Sequence, residues 1–169
     1  MLFRSMEQAI EACGATRKNV RTGERITVGD VVIATLAPFS NASTDSNDDS
    51  IVLRVSCGEI GMLFMGDASV KVEQKMLQTY SRAHLSAQLY KVGHHGSSTS
   101  NTEAFLDAVN PTYAVICSSI DNSYGHPHGV VVERLQNIGA TVLMTATDGE
   151  VILECNKSAI WHIDDKGEK

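Results

Sequence analysis

The stretch Lys91-Val92-Gly93-His94-His95-Gly96-Ser97 decides the fold. It continues the apolar run over residues 87–92, so the pattern predicts a strand that ends at a glycine-bounded corner carrying two histidines. Neighbouring strand residues point to opposite faces, so both imidazoles can address one ion only if the chain bends, which Gly93 and Gly96 permit. We expect one histidine to be a metal ligand and the other to orient it.

Upstream of this corner the sequence predicts one helix and two hairpins, followed by a second helix. Tight turns are indicated at Gly29-Asp30 and at 58–61, and residues 39–50 have the composition of a solvated loop. The predicted elements are a helix over 5–13, strands over 25–28, 31–37, 51–57 and 62–65, and an amphipathic helix from Val70.

Downstream, strands and helices continue to alternate. Ser100 and Glu103 form the pattern of a capping box before a helix that stops at Asn110-Pro111. A strand is predicted over 113–118, a helix through 131–135, and a last hairpin from 141–145 and 150–154. The order favours one α/β domain over 1–169, with helices packed on a mixed sheet, and a frayed charged end at 164–169.

Composition excludes several classes of protein. The 169 residues carry a net charge of -6, which argues against a protein that binds nucleic acid through bulk positive charge. No apolar run approaches the roughly 18 residues that cross a bilayer, so neither a membrane span nor a signal peptide is predicted. The four cysteines are scattered without a C-x-x-C pair, which favours buried free thiols in a reducing cytoplasm.

Asp67 ends the predicted strand over 62–65 after Gly66, so its carboxylate is expected at a sheet edge. This position suits a metal ligand. The alternative is a structural one, since Asp67 or Ser69 could cap the helix that begins near Val70.

His126 and His128 bracket Pro127 where a helix is predicted to begin. A helix N-terminus offers free N–H groups and a positive dipole end, so a phosphate could bind there, although two solvated histidines at a turn would give the same pattern. His84 and His162 have no such neighbours and are expected to be surface or strand residues. The acidic residues Asp45, Asp48 and Asp49 lack calcium-loop spacing and favour a solvated turn.

Four strings together resemble a known family. Residues 47–53, 63–68, 91–100 and 122–135 are similar to the metallo-β-lactamase-like hydrolase domain of ComEC-type DNA-uptake competence proteins, with the match running over about 26–151. The resemblance implies a four-layer α/β/β/α sandwich with a site for two metal ions, usually zinc, between its sheets. It also implies metal-dependent hydrolysis of phosphodiester or nucleic-acid substrates.

The resemblance implies roles for individual residues. Asp67 would bridge the metals, and His94 would be the final histidine ligand, with His95 orienting or replacing it as a further catalytic residue. His126 and His128 would line the substrate side. Ser97 is assigned to that side as well, although helix capping explains the serines after His95 equally well.

The departure from the family pattern is as informative as the match. The chain has no H-x-H-x-D-H motif and no histidine before His84, so it resembles only the C-terminal half of the domain. Two or three of about seven ligands would hold zinc weakly or not at all, and we expect a weak or inactive hydrolase. Alternatively, another polypeptide supplies the missing ligands.

The other class of function is a non-catalytic module for oligomerisation or partner binding that kept the fold and lost the metal. Half a sandwich would leave an apolar sheet face exposed, which a homo-oligomer, most simply a dimer, would cover. No membrane partner is expected.

Overall fold

The computed structural model describes residues 2–39 and 45–163 and contains a seven-stranded sheet whose strands follow one another in chain order. The strands are β1 (Arg25–Val28), β2 (Val31–Ala37), β3 (Val52–Cys57), β4 (Ile60–Phe64), β5 (Leu89–Lys91), β6 (Tyr113–Ile116) and β7 (Thr141–Met144).

The first four strands are antiparallel and the last four are parallel. Val28 pairs with Val31 across the first turn and Cys57 with Ile60 across the second, so both predicted early hairpins are confirmed. Between β4 and β7 each connection contains a helix, because parallel neighbours need a crossover.

The helices that follow β4 pack on one face of the sheet. In chain order, the helices before β7 are α1 (Leu2–Cys13), α2 (Val70–Thr79), α3 (Arg82–Leu85), α4 (Glu103–Val109) and α5 (Gly129–Asn137). Leu63, Tyr90 and Ala114 lie side by side on β4, β5 and β6, are fully buried, and belong to one apolar core with residues of α2, α4 and α5. The predicted α/β class with helices on a mixed sheet is therefore confirmed.

The opposite face of the sheet is apolar but only partly covered. The register puts Ile33, Val55 and Met62 in one cross-strand row and Leu53 beside Phe64 in the next. All five side chains remain partly exposed and lie outside the main core. The expected apolar face is present, and in the described part of the chain it is partly exposed rather than fully bare.

The hairpin predicted from 141–145 and 150–154 is wrong. The backbone groups of β7 pair in parallel with β6, and the chain then forms a short helical turn, α6 (Thr145–Asp148), in which the Asp148 carboxylate accepts the Met144 N–H at 2.8 Å. The following strand, β8 (Ile152–Cys155), pairs instead with β9 (Ile160–Ile163), an unpredicted strand.

The capping box at Ser100 and Glu103 is also absent. Thr102 precedes α4 as its cap residue and makes no side-chain cap bond, while the Ser100 hydroxyl donates to the carbonyl of Ala68 at 2.7 Å. Glu103 instead lies 3.7 Å from Nε of Arg134. Tertiary hydrogen bonds have therefore replaced the local pattern.

The cysteines are free thiols, as expected, but they are not buried. Cys13 is exposed, and Cys57, Cys117 and Cys155 are partly exposed. Burial raises the pKa of the Cys155 thiol, and Cys57 adds to this effect.

Part of the predicted loop over 39–50 is ordered. Ser46–Asp49 forms one turn of 3-10 helix, and the Asp48 carboxylate accepts from the Ser69 hydroxyl. The rest of that loop, residues 40–44, and the charged end at 164–169 lie outside the described residues. Among the helices that the structure describes, none combines the length and apolarity needed to cross a bilayer.

Candidate metal centre

Asp67 lies just beyond the end of β4, where the chain turns toward α2. Its N–H donates to the Ser50 hydroxyl at 3.2 Å, and its side chain is 45% exposed. The helix cap is Ser69, whose hydroxyl accepts the Lys71 N–H at 3.2 Å. The Asp67 carboxylate is therefore not used as the cap.

The bend between β5 and the following loop is made by the histidines themselves. His94 and His95 have φ angles of 47° and 54°, a left-handed conformation that residues with side chains seldom adopt. The His94 N–H donates to the Gly66 carbonyl at 2.9 Å, which ties this loop to the turn containing Asp67.

His95 is oriented toward Asp67. Its Nδ1 lies 2.6 Å from the Cys117 carbonyl, and its Nε2 lies 3.7 Å from Oδ1 of Asp67. A carbonyl can only accept, so Nδ1 carries the proton and the lone pair of the neutral ring sits on Nε2. A backbone carbonyl behind one ring nitrogen is the usual arrangement of a histidine that binds a metal through the other. His94 has a weaker contact, 3.5 Å from Nδ1 to the Thr99 hydroxyl.

Asn101 holds the histidine loop in place. Its buried amide accepts from the Gly93 N–H at 3.1 Å and the Tyr90 hydroxyl at 2.8 Å, and donates to the carbonyls of Gly93 at 3.0 Å and Ser97 at 3.1 Å. The side chain thus uses its donor and acceptor groups to brace both ends of the loop.

Glu73, on α2, is hydrogen-bonded to the backbone of Asn101. Its fully buried carboxylate accepts from the N–H of Asn101, and from the N–H and hydroxyl of Thr102 at 3.0 and 2.7 Å. Burial raises the pKa of the Glu73 carboxyl, although these hydrogen bonds and the charge of Arg134 act to lower it.

Sequence reasoning missed both residues. Glu73 lies midway between Val70 and Met76, three residues from each and therefore on the same helix face as these apolar residues, and that spacing was a usable signal for its burial. Asn101 had no comparable local signal, because its partners at 90 and 93 lie on another element.

His126 and His128 join the same cluster from the loop before α5. The His128 Nδ1 accepts the Ser98 N–H at 2.9 Å, and the His128 N–H donates to the Gly96 carbonyl at 3.0 Å. The His126 ring centroid lies 5.5 Å from that of His94, 6.5 Å from that of His95 and 4.9 Å from that of His128. Four predicted site histidines are therefore brought together beside Asp67.

The electrostatics of the cluster act most clearly on His126. Burial lowers the pKa of its imidazole, and charges on His128, His94 and His95 lower it further, while Asp67 opposes the change. These effects favour the neutral form of His126, which can donate one N–H.

Ser97 is placed differently from the four histidines. It is only 3% exposed, and its hydroxyl pairs with that of Thr99 at 2.9 Å and accepts the Thr99 N–H at 3.3 Å. This position favours bracing of the loop, and substrate binding by Ser97 stays a prediction. His84 and His162 lie outside the cluster, on α3 and β9.

The donor set fits a metal only in part. In the described ranges, no group of three or more His, Cys, Asp or Glu side chains is arranged to hold an ion. Asp67 Oδ1 and His95 Nε2 are nevertheless closer than the roughly 4.2 Å that two zinc bonds can span, so this pair fits as two ligands of one ion. Asp67 and His95 are therefore a candidate pair of metal ligands.

An open groove of about 460 Å³ adjoins the histidine cluster. Tyr124, 77% exposed, lies at this groove with its ring stacked at 5.8 Å on that of His126. The groove is lined by His95, Cys117, Ser118, Ser119, Asn122, Tyr124, His126 and Thr145.

Comparison with known proteins links the chain to competence proteins. It is 39% identical over 114 residues to "Competence protein ComA" of Neisseria gonorrhoeae, covering 68% of this chain and 16% of that protein. It is 30% identical over 144 residues to "ComE operon protein 3" of Bacillus subtilis, covering 85% of this chain and 18% of that protein. It is 36% identical over 116 residues to "Recombination protein 2" of Haemophilus influenzae, covering 69% of this chain and 14% of that protein.

The chain thus spans less than a fifth of the length of these relatives. No family model matches it. Among solved structures, CmlA, a diiron β-hydroxylase from Streptomyces venezuelae, superposes with a TM-score of 0.54 at 14% identity, over 80% of this chain and 34% of that one, a likeness of fold alone. The chain is therefore related by sequence to bacterial competence proteins, and its α/β fold is of the metallo-β-lactamase-like kind that its motifs predict.

Proposed function

We propose that this chain carries part of the metal site of a metal-dependent phosphodiester hydrolase, with nucleic acid as the substrate class, and that it is weakly active or inactive as an isolated chain. The observation that carries the proposal is the 3.7 Å approach of Asp67 Oδ1 and His95 Nε2, beside the ring of His94 on the same loop and the rings of His126 and His128 on the loop before α5.

The ligands that we propose are Asp67 with His95, and His94 as the next candidate. Zinc, when bound, would supply a hydroxide nucleophile near neutral pH and polarise a phosphoryl oxygen. Asp67 provides the negative charge that a dication needs, and the Cys117 carbonyl fixes the tautomer that leaves Nε2 of His95 free.

The substrate would approach from the side of His126. This ring can donate an N–H to a phosphate oxygen, and the ring of His128, held at the beginning of α5 by Ser98, can do the same through Nε2. The adjoining groove leaves space for the groups attached to the phosphate. These residues would orient the phosphodiester rather than attack it.

Weak activity follows from the number of ligands. A two-metal hydrolase uses about seven ligands to fix its ions. Two or three weakly constrained donors would leave a zinc ion largely hydrated, so its bound water would keep a high pKa. The remaining ligands would have to come from elsewhere, for example from another polypeptide.

Two measurements test this proposal. Zinc binding by the purified chain, followed by calorimetry, should weaken at least tenfold in Asp67→Ala. Hydrolysis of a chromogenic phosphodiester and of single-stranded DNA in added zinc should be slow, and any turnover should disappear in the same variant. A chain that binds no zinc contradicts the proposal, as does turnover that survives in Asp67→Ala.

The second candidate function is a non-catalytic module that forms a homodimer. It is favoured by the partly exposed sheet face, on which Ile33, Val55, Met62, Leu53 and Phe64 are all apolar. In a two-fold symmetric dimer this face of one copy would pack on the same face of the other. The five residues are uncharged, so they would bring no like charges together. Sedimentation at micromolar concentration should then give twice the 18.2 kDa of the chain, and Val55→Glu should restore the monomer. A wild-type monomer removes this candidate.

A further inference from the structure

A second groove, separate from the histidine cluster, lies between the antiparallel part of the sheet and the segment that joins α2 to α3. Its volume is about 420 Å³. It is lined by Gly23, Arg25, Val32, Ala34, Thr35, Leu36, Arg54, Ser56, Tyr80 and His84. None of these described residues has a carboxylate, although the whole chain carries a net charge of -6.

The register of the sheet creates the floor of this groove. Arg25 on β1 pairs with Ala34 on β2, and Ala34 pairs with Arg54 on β3, so the three side chains share one face in a single cross-strand row. Strands are about 4.8 Å apart, so the two arginines start roughly 10 Å apart. The small side chain of Ala34 leaves the space between them open.

Arg54 lines the groove, and among the residues that the structure describes it has no carboxylate partner. Its guanidinium donates to the Ser56 hydroxyl and, at 3.2 Å, to the Ser86 carbonyl, while its buried Nε has no hydrogen-bond partner. Burial lowers the pKa of this guanidinium. The Ser56 and Ser86 bonds use one N–H of each Nη atom, so the second N–H of each remains for an anion in the groove.

Neighbouring residues keep the guanidinium in this position. A Cβ atom at Gly61 would lie 2.6 Å from an Nη atom of Arg54, so a larger residue there would displace the guanidinium. At the rim, the His84 Nδ1 is 2.9 Å from the Ser81 hydroxyl, which leaves Nε2 available. The Tyr80 hydroxyl donates to the Leu36 carbonyl at 2.8 Å and closes one wall.

We propose that this groove is a binding site for phosphate groups, held between Arg54 and Arg25. Guanidinium groups form forked, charge-assisted hydrogen bonds with phosphate oxygens, and two of them in one cross-strand row suit a ligand with more than one phosphate. The phosphates come either from a small polyphosphate or from the backbone of a single-stranded nucleic acid. The site does not depend on the proposed hydrolase function, because it uses none of the residues of the histidine cluster.

Calorimetry with two probes tests the proposal and separates the two sources. Sodium pyrophosphate represents a free polyphosphate, and a short single-stranded oligonucleotide represents a nucleic-acid backbone. At least one probe should bind, and Arg54→Met and Arg25→Met should each weaken it roughly tenfold. If only the oligonucleotide binds, its affinity should fall steeply with salt and the backbone is the source.

The control is Arg17→Met, which removes the same charge from an exposed ion pair with Glu7 and should change the affinity less than twofold. Arg25 is exposed, so Arg25→Met keeps the test valid even if Arg54→Met folds poorly. The proposal is overturned if neither probe binds, or if Arg25→Met binds as tightly as the wild type.

Discussion

Asn101 and Gly93 are joined by two hydrogen bonds between one side chain and one residue's backbone: the Gly93 N–H donates to Oδ1 at 3.1 Å, and Nδ2 donates to the Gly93 carbonyl at 3.0 Å. This pair fixes the point where β5 ends and the two histidines begin. The position of His94 and His95 thus depends on hydrogen bonds that a buried amide makes to the residue before them.

Asn101→Ala should destabilise the protein by about 2 to 4 kcal/mol, because buried backbone groups of Gly93 and Ser97 lose their partners. Asn101 also has a φ of 63°. Asn101→Gly, which tolerates this angle, should be less destabilised than Asn101→Ala by roughly 1 kcal/mol. Urea unfolding measures both free energies, and equal stability of wild type and Asn101→Gly would contradict the role given to the amide.

Glu73→Gln should change how stability depends on pH. The folded state raises the pKa of this carboxyl, so the folded protein binds the proton more tightly than the unfolded chain. The contribution of protonated Glu73 to stability is complete below the pKa of the unfolded chain, roughly 4.3. It is lost as the pH rises through the pKa of the folded protein. The free energy of unfolding of wild type relative to Glu73→Gln should therefore fall as pH rises.

The control for this experiment is Glu103→Gln. It makes the same chemical change at a carboxylate whose side chain is 80% exposed, so the pH dependence should stay close to that of the wild type. If the free energy of unfolding of wild type relative to Glu73→Gln instead rises with pH, the hydrogen bonds, rather than burial, dominate the pKa of Glu73.

Sequence patterns within a few residues correctly predicted the early hairpin and the ends of two strands. The alternation of apolar residues and the Gly29-Asp30 turn were sufficient for the first hairpin, and the strand ends at Asp67 and His94 were placed correctly at one edge of the sheet. The same kind of reasoning paired β7 with the wrong strand, because the partner that β8 takes is β9, which the sequence analysis did not predict.

The sequence predicted which residues lie at the site, but not how their side chains are oriented. Sequence reasoning named Asp67, the histidine pair and the two histidines beside Pro127, and the structure brings these side chains together. It could not decide which histidine of the pair faces Asp67, since that depends on the left-handed backbone at both positions and on the distant carbonyl of Cys117.

Zinc binding should therefore distinguish the two neighbouring histidines. His95→Gln should weaken zinc binding at least tenfold, because Nε2 of His95 faces Asp67 with its tautomer fixed, while His94→Gln should have a smaller effect. His162→Gln, on β9 and outside the cluster, should bind as the wild type does. Titration with a competing zinc dye measures all three, and a greater loss in His94→Gln would assign the ligand to His94.

Gly96→Ala should separate the two loops that carry the histidines. Gly96 has a φ of 83°, and a Cβ atom there would lie 2.6 Å from Cβ of Pro127, so the alanine must push the loop at 126–128 away. Gly125 has a similar φ of 70° but nothing within 4 Å of its added Cβ, so Gly125→Ala incurs the backbone strain alone. We expect destabilisation of about 3 kcal/mol for Gly96→Ala and about 1 kcal/mol for Gly125→Ala in urea unfolding, because only the first adds overpacking to the strain. In proton NMR spectra, the imidazole signals of His95 and His126 should shift in Gly96→Ala. The His95 signals should stay unchanged in Gly125→Ala. Equal effects of the two substitutions would mean that contact between Gly96 and Pro127 does not hold the histidine cluster together.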